Sequence, residues 1–300
     1  MTGITAELIE FDTEKDRVEA RRHSVGASES PALFGLGYED QTPLSIYAEK
    51  VAGRNGEKTG ENLLVGTVME PSLRQLFTHI TGVAVVQSAK TYRDRTYPRM
   101  TATPDGIVDD NDFGVLEMKM IGRHQSHLWQ HGSPLRTQIQ LQHQMAVTGL
   151  DYGWIFGLAG TEVISERHER NDEFIEALRD KVQLFWACVE ERREPDASGK
   201  KCDHQALRAL HPDDSGESKL FPQEMEEVFE ALLFTTEKRK SLEKQEDAFK
   251  AQLQQFLGDA TYGEMPDGRS CSWKTSTSHY KAKEAFDMKK RTFRTHKTKR

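Results

Sequence analysis

The chain has 300 residues, enough for one large domain or one domain with an appendage, and 36% hydrophobic content is enough for a core. No apolar run approaches the roughly 18 residues that a membrane-crossing helix needs, which excludes that class. The net charge of −7 argues against a generic nucleic-acid binder, but it hides an asymmetry: residues 281–300 hold nine Lys or Arg against Glu284 and Asp287, a local +7, so the preceding 280 residues carry −14. A basic tail interleaved with Phe286 and Phe293 fits a phosphate-contacting arm. The first residues lack the basic start and apolar block of a signal peptide, which predicts a cytoplasmic location. Cys188, Cys202 and Cys271 are far apart, with no C-x-x-C pair, so neither a disulfide framework nor a zinc or iron–sulfur site is encoded.

In chain order, residues 19–37 join Arg21 and Arg22 to a Gly-Ala-Ser turn and then an apolar segment. Backbone amides at a helix start, the Ser28 hydroxyl and an arginine fork together make a pocket for a terminal phosphate; Ser28 as an N-cap is the simpler alternative. Residues 62–80 have a helical pattern with Leu73, Leu76, Phe77 and Ile80 on one face. Glu70 stands just before Pro71, so the helix is expected to kink or restart there and place a carboxylate at a special point.

Residues 100–119 alternate like a β-hairpin closed by a polar turn over 109–114. Side chains alternate across a strand, so Glu117 and Lys119 share one face and Met118 takes the other. A hairpin of this length sets Asp105 alongside Glu117, and two carboxylates in one site repel unless a cation lies between them. Hard oxygen donors suit Mg²⁺ or Mn²⁺, and a half-buried lysine beside them can orient a water and stabilise charge developing on a phosphate. Taken separately, Pro-Asp-Gly reads as a turn and Glu-x-Lys as an exposed charge pair.

Residues 134–149 read as a helix with Leu141, Met145 and Thr148 on one face and Gln140 and Gln144 adjacent, where amides can bind a phosphate, a metal-bound water or a base edge. Residues 194–218, rich in Pro, Gly, Ser and Asp, mark a boundary. The predicted organisation is therefore an α/β body over 1–196, a linker over 197–217, and a long amphipathic helix, small hairpin and basic tail over 218–300.

Taken together, Arg21 through Ser28, Gly66-x-x-x-Glu70-Pro71, Pro104-Asp105-Gly106, Leu116-Glu117-Met118-Lys119 and Gln140 through Gly149 resemble, in order, the YqaJ-type viral recombinases. These are lambda exonuclease-like members of the PD-(D/E)xK nuclease superfamily. The resemblance spans about residues 15–195 and implies a restriction-endonuclease-like α/β core, with a central mixed sheet flanked by helices and, here, a C-terminal helical extension. It implies Asp105, Glu117 and Glu70 as metal ligands, Lys119 as the group that positions or activates water, Gln140 as their support, and Arg21 and Ser28 as holders of a 5′ phosphate. The implied activity is Mg²⁺- or Mn²⁺-dependent 5′-to-3′ digestion of linear double-stranded DNA in a bacterial host cell, by a phage or prophage enzyme. Its products are 3′ overhangs for a single-strand annealing protein, and the implied assembly is a ring-shaped trimer. An endonuclease with the same site, or a non-catalytic DNA-binding recombination scaffold, are the alternatives. Thr137 departs from the family, whose members often carry tyrosine there.

Overall fold

The computed structural model describes residues 3–53 and 61–277, and the basic stretch 281–300 lies outside the described residues. Two compact units divide at Pro212 and Asp213. The first contains β1 (Glu7–Ile9), α1 (Glu14–Arg22), β2 (Val25–Gly26), α2 (Ser30–Leu33), α3 (Pro43–Ala52), α4 (Glu61–Thr81), β3 (Ala84–Ser88), β4 (Thr91–Arg93), β5 (Met100–Ala102), β6 (Gly106–Asp109) and β7 (Phe113–Met120). It continues with α5 (Leu135–Thr148), β8 (Tyr152–Ala159), β9 (Glu162–Glu169), α6 (Asp172–Glu190) and α7 (Lys201–Leu210). The strands make two sheets, one in the order β1-β4-β5-β2 and one in the order β3-β6-β7-β8-β9.

The hairpin read from residues 100–119 spans both sheets. β5 pairs with β4 and β2, the chain leaves that sheet at Thr103 and Pro104, and β6 then pairs antiparallel with β7, Gly106 opposite Leu116. β7 and β8 are parallel, a pairing that requires a crossover, which α5 supplies. Leu73 and Phe77 of α4 pack with Val108, Leu116, Met118 and Phe156 on one face of the five-stranded sheet. Leu141 and Met145 of α5 pack with Ile107, Val115 and Ile155 on the other. Gly153 permits that close approach, since a Cβ there would stand 2.8 Å from Leu141 and 2.6 Å from Val115.

α5 has a second buried side, where Ala146 and Val147 join Tyr47, Met100, Ile175 and Val182 of the neighbouring layer. A helix covered on two sides leaves its buried polar residues, Gln140 and Gln144 among them, no water, so they turn to partners within the protein. It ends at Gly149, whose φ of 78° is the left-handed conformation that glycine adopts without strain.

Three local expectations are corrected. α4 runs unbroken through Pro71 rather than restarting at Glu70. The hydrogen bond that Pro71 cannot donate falls on the carbonyl of Thr67, an exposed residue that water can serve. Ile80, placed by periodicity on the apolar face, is exposed. The segment read as a linker over 197–217 contains α7, whose Cys202 and Ala206 are buried where it packs on α3. Asp203 explains this: its Oδ1 accepts from the Thr42 hydroxyl at 2.5 Å and its Oδ2 from the amides of Ser198 and Gly199 at 2.6 and 2.9 Å.

The second unit contains α8 (Glu224–Leu257) and an antiparallel pair, β10 (Tyr262–Glu264) with β11 (Ser270–Ser272). None of the α8 side chains is buried, and ion pairs Arg239–Glu243 and Glu246–Lys250 run along it at i,i+4 spacing. Among the described residues no helix is long and apolar enough to cross a membrane.

Candidate active site

Continuing the β6–β7 register by one position sets Asp105 opposite Glu117. Ile107 and Val115 face α5, so alternation puts Asp105, Glu117 and Lys119 on that same face. Glu117 is 2% exposed and surrounded by donors: Gln140 Nε2 reaches Oε1 at 2.8 Å, Gln144 Nε2 reaches Oε2 at 2.5 Å, and the Lys119 ammonium pairs with Oε1. Lys119 Nζ also donates to Gln140 Oε1 at 3.2 Å. The Met118 amide donates to Asp105 Oδ2 at 2.6 Å.

These contacts set the protonation of the site. Burial and the charge of Glu117 together hold the Asp105 carboxyl well above the usual carboxylate range, with Glu70 adding to the same repulsion. Burial would lower the Lys119 ammonium, but Glu117, the Tyr38 phenol oxygen and Asp105 outweigh it and raise it above the ordinary lysine value. Ionised together, the two carboxylates would carry more negative charge than Lys119 alone cancels. Two crowded carboxylates made of hard oxygen donors fit a divalent cation, and Asp105 and Glu117 are the residues that would hold it. Among the described residues no three His, Cys, Asp or Glu side chains are grouped as an ion site. Glu70, on the opposite helical layer, is instead paired at 3.7 Å with Arg74, which donates to the Asp105 carbonyl at 3.1 Å.

Arg21 and Ser28 lie together in the wall of a cavity of about 120 Å³, with Ser24, Thr101, Thr103 and Gln140. Gln140 thus belongs both to this cavity and to the Glu117–Lys119 centre. Ser28 is not a helix cap: α2 has four residues and begins after Glu29, so the pocket owes nothing to a helix N-terminus. Below it, Glu29 Oε2 takes the buried Lys50 ammonium at 2.8 Å and the Gly26 amide at 2.9 Å, while Oε1 lies 3.4 Å from Arg21. Burial would raise the Glu29 carboxyl, but Lys50, Arg21 and these hydrogen bonds hold it down at about 2. Lys50 Nζ donates in addition to the Arg21 carbonyl at 2.7 Å, so the pair anchors the backbone that carries the arginine.

Sequence reasoning missed Glu29 and Lys50 as site-building residues, and named Gln144 without its partner Glu117. The i,i+4 spacing from Gln140 was the available signal for Gln144; nothing local signals a pair joining positions 29 and 50. Gln144→Leu is expected to strand one oxygen of the buried Glu117 and cost about 1–3 kcal/mol, measured by urea denaturation. A midpoint equal to that of the wild type would show that the 2.5 Å bond contributes nothing to stability.

A mixed sheet with a helix on each face and an acid, acid, lysine set on adjacent strands defines the PD-(D/E)xK restriction-endonuclease-like fold. Residues 17–151 match the family model of the YqaJ-like viral recombinase domain. Among solved structures it is similar to LHK-Exo in complex with dAMP, with a TM-score of 0.51 and 24% identity over 60% of this chain and 94% of that one. It is also similar to the alkaline exonuclease LHK-Exo from Laribacter hongkongensis at TM-score 0.49 and 23% identity, again over 60% and 94%. A phage-related exonuclease from Haemophilus somnus matches at TM-score 0.44 and 13% identity, over 56% and 94%. No curated protein matches significantly.

Proposed function

We propose that the protein is a divalent-metal-dependent exonuclease that digests linear double-stranded DNA from its 5′ ends and leaves 3′ overhangs for strand annealing. The observation that carries this reading is the double role of Gln140, which lines the Arg21–Ser28 cavity and also supports Glu117 and Lys119. A terminal phosphate held by Arg21 and Ser28 would leave the next phosphodiester facing the carboxylates. Mg²⁺ or Mn²⁺ on Asp105 and Glu117 would polarise that phosphodiester and its attacking water. Lys119, kept charged by its surroundings, would orient the water and offset negative charge as it develops. Glu70 is placed to influence this centre electrostatically and through Arg74. The family also motivates a ring-shaped trimer and a single-strand annealing partner.

The test is digestion of a linear duplex labelled at one 5′ end, with and without Mg²⁺, beside a closed circle. Metal-dependent early release of the label with the circle intact is expected. Cutting of the circle would replace this reading with an endonuclease, and no cutting of either with a scaffold. Arg21→Ala is expected to slow digestion of 5′-phosphorylated ends about tenfold or more while sparing 5′-hydroxyl ends, since it removes a charge-assisted hydrogen bond to phosphate. Equal slowing of both would put the phosphate pocket elsewhere.

A further inference from the structure

Arg136 lies one helical turn before Gln140 and two before Gln144, so the three residues form a row along one face of α5. Gln140 and Gln144 are spent on Glu117. Arg136 is half-buried, with its guanidinium carbon 4.6 Å from the centre of the Tyr38 ring. Among the described residues, no carboxylate pairs with it. Tyr38 in turn is positioned by its backbone: its carbonyl accepts from the Gln41 amide at 2.9 Å and from Lys200 Nζ at 3.2 Å. The preceding Gly37 is packed so closely that a Cβ would stand 2.7 Å from Ala32.

A guanidinium held over an aromatic ring by a cation–π contact spends none of its N–H donors on a carboxylate, and those donors match a phosphate. Most arginines on this unit have carboxylates to spend those donors on: Arg74 has Glu70, Arg99 has Glu190, and Arg179 has Asp94 and Glu176. Arg136 instead holds an uncompensated charge in a rigid setting, next to the Gln140 that touches Lys119. That combination fits an anion supplied from outside, and beside this centre the anion would be part of the substrate backbone.

We infer that Arg136, held over the Tyr38 ring, grips a phosphodiester of the bound DNA strand neighbouring the one that is cut. This rests on the nuclease reading and adds to it a contact that fixes the strand without taking part in the bond-breaking step.

The test is the initial rate of digestion of a 5′-phosphorylated linear duplex by the full chain, measured across about 50–200 mM NaCl. Arg136→Gln is expected to raise KM about tenfold with kcat changed less than about twofold, and to reduce the slope of log KM against log salt by about 0.7 to 0.9, the share of one phosphate contact. Tyr38→Leu, which removes the ring, should move KM towards the Arg136→Gln value. An unchanged KM and salt slope in Arg136→Gln, or a fall in kcat with KM unaltered, would overturn the inference. Should Arg136→Gln not fold, an unaltered KM in Tyr38→Leu would overturn it too. A wild type that digests no duplex would instead remove the nuclease reading, and the inference with it.

Discussion

Asp105→Asn is expected to reduce hydrolysis of linear duplex DNA by at least about a thousandfold, while leaving the fold as stable as before or more so. The residue stands opposite Glu117 in the β6–β7 register, and its carboxyl is held above the usual range by burial and by that neighbour. A group whose folded pKa is raised favours the folded state below its unfolded value and loses that contribution as the pH rises through the folded value. Without a cation, the wild type should therefore lose stability as the pH climbs beyond the ordinary carboxylate range, and Asp105→Asn should flatten that decline. Millimolar Mg²⁺ should raise the melting temperature of the wild type and leave that of the variant unchanged, because a ligand that binds only the folded form stabilises it. Full activity in the variant, or an equal Mg²⁺ effect in both proteins, would show that Asp105 neither holds a cation nor serves the chemistry.

The second large effect falls on Lys50. Its side chain and that of Glu29 are each 2% exposed, and removing one member of such a pair leaves an uncompensated buried charge. Lys50→Met is expected to cost about 3–5 kcal/mol, read from denaturant midpoints. Replacing both residues, with Glu29→Gln added, should recover part of the loss. The linkage here has the opposite sign to that of Asp105. The Glu29 carboxyl is depressed to about 2, so its contribution is complete above the ordinary value of 4.5 and disappears as the pH falls from there to about 2. A Lys50→Met protein with the wild-type midpoint would mean that the pair adds nothing to the fold. If the protein folds but digests 5′-phosphorylated ends more slowly, the pair serves chiefly to hold the Arg21 backbone.

Much of the arrangement of the candidate site was legible in the sequence because its contacts are local or periodic. Asp105, Glu117 and Lys119 follow from strand alternation and the length of one turn, and the α5 apolar face from a spacing of three to four. Other features depend on pairings between distant segments, which no local pattern reports. Lys50 meets Glu29 across 21 positions, and Tyr38 comes beside Lys119 only because α2, α3 and the strands fold together. Gln144 reads as a binding amide beside the apolar face, but its burial against Glu117 appears only once a second layer covers α5. The 197–217 segment reads as a linker by composition, and a single buried acid, Asp203, organises part of it into α7. In α4, propensity lost to packing: Pro71 sits in a helix that Leu73 and Phe77 anchor to the sheet on one side.

The passage of the chain from one sheet to the other at Pro104 has a consequence for the product that the proposed activity would release. Thr101 and Thr103 line the cavity of Arg21 and Ser28, and Asp105 follows two residues later. Four residues span at most about 14 Å, and a proline within them removes one of the few rotations that could change the interval. Under the proposed reading this stretch is one arm of a ruler: covalent links cap the distance from the threonine wall of the cavity to Asp105, and the β2–β5 pairing fixes the other arm. The size of the fragment released at each step would then be set by these two short connections.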